Sequence, residues 1–199
     1  MLTNIFPSQV YIGQCSDNLD NVIPYLQSLH LQRKVQYGDY IIASETELFL
    51  FSPEHLQACP DLQYIINAFV NAFDEIDIPS YNVRSALLEN KALVKLSFMG
   101  KGEHKDIHIH TGAAGWGVFY LNNINHGTNG GNLRLYHPGR FNDLLLNNTN
   151  PGILPSYPVS IKRGKVIAAP NYIWHGVDKY NGEEDRMAIV VTILSDYDS

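Results

Sequence analysis

The chain has 199 residues, enough for one domain with a sizeable core, and 45% hydrophobic against 17% charged residues is a globular rather than a disordered balance. A net charge of -6 with no basic run argues against sequence-independent nucleic-acid binding, and no apolar stretch approaches the ~18 residues of a membrane span. Met1 to Val10 lacks the basic region and apolar core of a signal peptide, and Cys15 and Cys59 make neither a disulfide framework nor a CxxC metal pair, so a cytoplasmic single domain over 1–199 is the expectation.

In chain order, Asp17 is an N-cap candidate for a helix running to about Leu31, with Leu19, Val22, Ile23, Leu26 and Leu29 at helical spacing. Tyr40–Ile42 and Leu48–Phe51 are strand-like. Ser52-Pro53-Glu54 reads as a cap with proline at the first helical position. From there Leu62, Ile65, Ile66, Phe69, Val70 and Phe73 form an apolar face, with a break expected at Pro60. The character changes near residue 80. After residue 90, short β-branched or aromatic segments separated by Gly, Asn and Pro predict strands at 92–99, 106–110, 117–122, 132–136, 160–161, 166–169 and 188–194. No long helical pattern lies between them, so a sandwich or barrel is expected. Gly139 to Tyr157 reads as a long loop.

The chemistry-bearing residues lie in this second half, where His104, His108, His110, His126, His137 and His175 fall. On a regular strand, alternate side chains share a face, so His108 and His110 point alike and suit Zn, Fe, Cu or Ni. His104 and Asp106 share that face by the same rule, and periodicity alone does not choose between the pairs. His175 follows an apolar strand and a Pro-containing turn, and Arg186 stands eleven residues on, before the last apolar strand.

This order resembles the non-haem Fe(II)/2-oxoglutarate-dependent oxygenases, in a bacterial branch with a His-x-His motif. His108-Ile109-His110 precedes Gly117-Val118-Phe119-Tyr120, which is similar to the branch's Ser-Gly-Val-Tyr-Tyr strand. Gly130-Gly131-Asn132-Leu133 resembles its Gly-Gly-Glu-Leu start, Pro158 to Ile167 its Pro-x-x-Gly strand, and Ile5 to Tyr11 its Phe-Pro-Thr opening. The resemblance implies an α+β fold: a double-stranded β-helix, or cupin-like jelly roll, over 91–199, with helical support and edge strands in 1–90. It implies Fe(II) as cofactor and 2-oxoglutarate as cosubstrate, oxidised to succinate and CO2 as a substrate is hydroxylated.

Carried over residue by residue, the resemblance makes His108 and His175 metal ligands, with His110 where the usual motif has Asp. Either His110 completes a three-histidine site, or His104-Lys105-Asp106 is the true His-x-Asp pair. Arg186 matches the residue that forks onto the distal carboxylate of 2-oxoglutarate, and Tyr120 a strand tyrosine that hydrogen-bonds the same group. Trp116, Trp174 and Arg134, with His137 and Arg140, are candidates for the substrate mouth. The implied substrate is a free or peptide-bound amino acid or a small metabolite, and a homodimer is the default assembly. Two other readings stay open: a three-histidine dioxygenase independent of 2-oxoglutarate, and a non-catalytic jelly-roll metal- or ligand-binding module.

Overall fold

The computed structural model describes residues 2–5, 8–16, 18–37, 45–47, 50–76, 83–89, 91–123, 130–136 and 156–195. Asp17, Tyr40–Ile42, Leu48, Phe49, His126, His137, Arg140 and most of the expected 139–157 loop lie outside these residues.

The chain opens with a hairpin of β1 (Leu2–Ile5) and β2 (Ser8–Gln14), which had not been expected as strands. Alternation explains β2, since Val10 and Ile12 face one layer of the core and Tyr11 the other. Helix α1 (Val22–Tyr37) starts later than expected and runs past Leu31. Nothing between Leu31 and Tyr37 breaks a helix, and Gln, Arg and Lys favour one. Its predicted contact positions Leu19, Val22 and Leu26 are buried.

Strand β3 is Glu45–Glu47, not the apolar run that follows it; Leu50 and Phe51 are buried in the turn leading to α2 (Pro53–Ala58). Ser52 caps α2 by accepting a hydrogen bond from the His55 amide, with Pro53 opening the helix as read. The break at Pro60 separates α2 from α3 (Leu62–Glu75), whose Leu62, Ile65, Ile66, Phe69 and Phe73 are buried on one face. A short helix α4 (Val83–Leu88), absent from the sequence expectation, buries Val83, Ala86 and Leu87.

The remaining strands are β4 (Ala92–Met99), β5 (Lys105–His108), β6 (Ala113–Tyr120), β7 (Leu133–Tyr136), β8 (Ser156–Val159), β9 (Lys165–Pro170), β10 (Trp174–Val177) and β11 (Arg186–Leu194). β8 replaces the strand expected at 160–161, and β10 had been read only as a turn followed by a histidine. Pro158 is tolerated because β8 is an edge strand.

Two antiparallel sheets result, one in the order β1-β2-β9-β6-β11-β4-β3 and the other β5-β10-β7-β8. They face each other as a jelly roll. Trp116, Val118, Tyr120, Ile167 and Ala188 of the larger sheet pack against Leu133, Leu135, Val159 and Ile173 of the smaller side. The alternate residues of the larger sheet, among them Val94, Phe119, Ile189 and Val191, pack outward against α1, α3 and α4. Gly117 makes this close approach possible: a Cβ there would meet the Phe69 ring at 3.0 Å and the Ile167 carbonyl at 3.1 Å. The helices thus hold the larger sheet in place and leave its inner face to the site.

Candidate active site

Three histidines meet where β5 pairs with β10. His175 lies directly opposite His108 in this antiparallel pair, and such partners have their Cβ atoms roughly 4.5–5.5 Å apart on one face. Their ring centroids are 4.4 Å apart. His110 lies just past the end of β5, not within a regular strand as expected, yet its Nε2 is 3.3 Å from Nε2 of His175. One ligand nitrogen from each of the three falls within 4.8 Å of the others.

A β-bulge separates this trio from the alternative pair. Between the matches Val177–Lys105 and His175–His108, β5 runs one residue longer than β10, so the facing parity changes along β5. Lys105 and His108 both line the pocket, whereas His104 and Asp106 pair with each other at 3.3 Å with largely exposed side chains. A regular pleat would have aimed residues 104, 106, 108 and 110 together. Gly176 sits opposite the bulge, where a Cβ would meet the Lys105 carbonyl at 3.0 Å and Ile107 Cα at 3.3 Å.

Each ring is held from behind. Nδ1 of His108 donates to the Asp106 carbonyl at 2.7 Å, and Nδ1 of His175 donates to the Ile173 carbonyl at 3.0 Å. A carbonyl only accepts, so both rings carry their proton on Nδ1 and turn an Nε2 lone pair inward. Nδ1 of His110 meets the Thr192 hydroxyl of β11 at 3.0 Å. Burial, then the neighbouring His108 and His110, hold the His175 pKa well below the usual imidazole range, so its ring is neutral. Three inward nitrogens, at least two of them unprotonated, fit a borderline metal such as iron.

The trio opens into a pocket of about 460 Å³ between the sheets, whose lining also includes Ser97, Met99, Val118, Val190, Thr192 and Arg186. Arg186 is 3% exposed. It donates to the Tyr120 hydroxyl at 3.1 Å and lies over the Tyr120 ring, 5.0 Å from its centroid. It does not join the surface acids beside it in sequence; Glu183, for one, pairs with Lys101. Among the described residues Arg186 has no carboxylate partner, and its Nε has no hydrogen bond. A buried guanidinium in that state calls for an anion. Burial raises the Tyr120 pKa against the opposing pull of Arg186, so the phenol stays neutral and can donate to such an anion.

The substrate candidates fall elsewhere. Trp116 is wholly buried and stacks on His175 at 3.8 Å between centroids, as a floor of the site rather than part of its mouth. Arg134 points to the other face of β7, where it pairs with Asp178 at 2.6 Å and Ser156 at 3.1 Å. Trp174 alternates with His175 along β10 and is half-buried outside the pocket lining. Thr192 escaped the sequence reading because it reads as one more β-branched residue in an apolar strand.

A jelly roll with a histidine trio at one end of its pocket and a buried arginine at the other is the architecture of the non-haem Fe(II)/2-oxoglutarate oxygenases. Residues 96–191 match the family described as "Putative 2OG-Fe(II) oxygenase", and this match together with the shared fold indicates an Fe(II)/2-oxoglutarate-dependent oxygenase. The fold is shared with a prolyl-4-hydroxylase from Pseudomonas putida (TM-score 0.55, 13% identity, 93% of this chain and 91% of that one). It is shared with a prolyl hydroxylase from Trichoplax adhaerens in complex with a hypoxia inducible factor peptide fragment (0.60, 15%, 93% and 83%). It is also shared with HygX from Streptomyces hygroscopicus, solved with nickel and 2-oxoglutarate (0.60, 9%, 94% and 83%). No curated protein matches the sequence. Among the described residues no helix is long and apolar enough to cross a membrane.

Proposed function

We propose that His108, His110 and His175 hold Fe(II) through Nε2, that Arg186 and Tyr120 take the far carboxylate of 2-oxoglutarate, and that the chain hydroxylates a free or peptide-bound amino acid or a small metabolite. The carrying observation is the pairing, in one pocket, of three converging imidazoles with a buried guanidinium that has no carboxylate partner among the described residues. Bound iron would supply the O2 activation that couples oxidation of 2-oxoglutarate, to succinate and CO2, with insertion of one oxygen atom into a substrate C–H bond.

The chain's own residues do the rest. Three neutral donors leave a bound dication one charge more positive than two histidines and a carboxylate would, which favours a dianionic cosubstrate. Arg186 fixes the end of that dianion away from the metal. The Val118 and Val190 side chains keep the walls between the two ends apolar. The substrate classes are supported by the neighbours, one of which holds a peptide.

The test is succinate formation from 2-oxoglutarate with Fe(II) and ascorbate. His108→Ala, His110→Ala and His175→Ala should each abolish turnover. Arg186→Ala should raise the 2-oxoglutarate requirement by about 30-fold to several thousandfold, the cost of leaving one partner of a buried charge pair (~2–5 kcal/mol), with Arg186→Lys recovering part of it. An Arg186→Ala protein with unchanged 2-oxoglutarate affinity would refute this assignment of the cosubstrate end.

A further inference from the structure

Two of the three histidines are oriented by backbone carbonyls, Asp106 for His108 and Ile173 for His175, which no side-chain substitution removes. His110 differs in that its Nδ1 meets a side chain. That side chain is the Thr192 hydroxyl, 82 residues away in sequence and 8% exposed. Thr192 lies directly opposite Trp116 in the β11–β6 ladder. This one cross-strand pair therefore presents a hydroxyl to His110 and an indole to His175. Thr192 is also one residue beyond the segment that matches the family.

We infer that Thr192 is a positioning residue that sets the tautomer and ring angle of His110 and so makes the third nitrogen available to the metal. The inference rests on the three-histidine reading above. Its chemistry follows from the hydroxyl being both donor and acceptor. In the metal-free chain His110 Nε2 lies 3.3 Å from His175 Nε2, whose lone pair is free because Nδ1 of His175 is the donor to Ile173. A proton on His110 Nε2 bridges this gap, and Thr192 then donates to Nδ1. When a cation takes up the lone pairs, the His110 proton resides on Nδ1 instead, and Thr192 rotates to accept it. No bond to carbon changes and no proton is lost; the imidazole exchanges one tautomer for the other. A carbonyl in this place would fix the metal-binding tautomer alone, and a methyl would satisfy neither.

The probe is Co(II) alone, titrated into the metal-free full chain and followed by its visible absorption. Thr192→Val keeps the shape and removes the hydroxyl. It should weaken Co(II) binding about 10- to 100-fold, the usual effect of losing an outer partner of a ligating histidine. Thr192→Ser should restore most of the affinity. Thr192→Ala, read beside it, guards against a valine that packs badly, and the metal-free melting temperature of each variant shows whether the fold is kept. In a His110→Ala background, Thr192→Val should weaken binding no further, because its effect runs through that ring. If His110→Ala weakens Co(II) binding while folded Thr192→Val and Thr192→Ala bind like the parent, the role given to Thr192 is wrong. If His110→Ala binds Co(II) like the parent, the three-histidine reading itself fails, and this inference with it.

Discussion

His175 is 5% exposed, stacked on Trp116 and flanked by two more imidazoles. Burial, then the proximity of His108 and His110, lower its pKa well below 6.5. In the unfolded chain the same ring titrates near 6.5. Above that pH both states are neutral at this site and the stability it contributes is fully present. As pH falls below about 6.5 the unfolded state takes up a proton that the folded state refuses, so stability falls until the folded pKa is reached. Metal-free protein should therefore lose stability between about pH 7 and 5, by urea midpoint, more steeply than His175→Gln, which cannot take up that proton. Equal slopes would mean that the buried imidazole is not the group responsible. The same neutrality serves metal binding, because a proton on Nε2 competes with the cation.

At the scale of elements, the β5 bulge decides which histidines meet. It sits opposite Gly176, where an added Cβ would press on the Lys105 carbonyl and Ile107 Cα. Gly176→Ala should push β5 away from β10 by a few tenths of an ångström and misalign His108 with His175. We expect a 10-fold or greater loss of Co(II) affinity with secondary structure retained, and a larger loss for Gly176→Val; metal ligands tolerate only ~0.2 Å of displacement. Unchanged affinity in Gly176→Ala would show that the bulge relaxes freely.

This bulge also marks how far the sequence could be read. The His-x-His spacing, the distal histidine and Arg186 were legible because each carries its chemistry locally. The choice between His104-x-Asp106 and His108-x-His110 was not, since one extra residue in a strand reverses every facing and leaves no mark in the periodicity. Strands as long and apolar as β4 and β11 were legible nearly to the residue. Trp174–Val177 was hidden because four residues, one of them glycine, do not display an alternation; its strand character comes from β5 and β7 on either side. Thr192 was invisible for the corresponding reason, since its role exists only once β11 and the loop after β5 are brought together.

For the whole molecule, the two ends of the pocket belong to different parts of the fold, and this makes ligand binding separable by stability. The histidines come from the β5–β10 ladder and the segment after β5, whereas Arg186 and Tyr120 belong to the larger sheet, next to the core that the helices cover. Metal should stabilise the first region and 2-oxoglutarate should tie it to the second. A ligand at about 100 times its dissociation constant adds ~2.7 kcal/mol to a chain that it binds only when folded. At ~2–4 °C per kcal/mol for a chain of this length, that is roughly 5–10 °C in Tm. Anaerobic melts should thus show one increment with Fe(II) and a second when 2-oxoglutarate is added to the metal-loaded protein. 2-Oxoglutarate without metal should give much less, because Arg186 and Tyr120 hold only one of its carboxylates. In Arg186→Ala the metal increment should persist and the 2-oxoglutarate increment shrink sharply. In His175→Ala both should disappear. If 2-oxoglutarate stabilised the His175→Ala protein as well as it stabilised the metal-loaded parent, the cosubstrate would be held without the metal, and the pocket would not be working as one site with two ends.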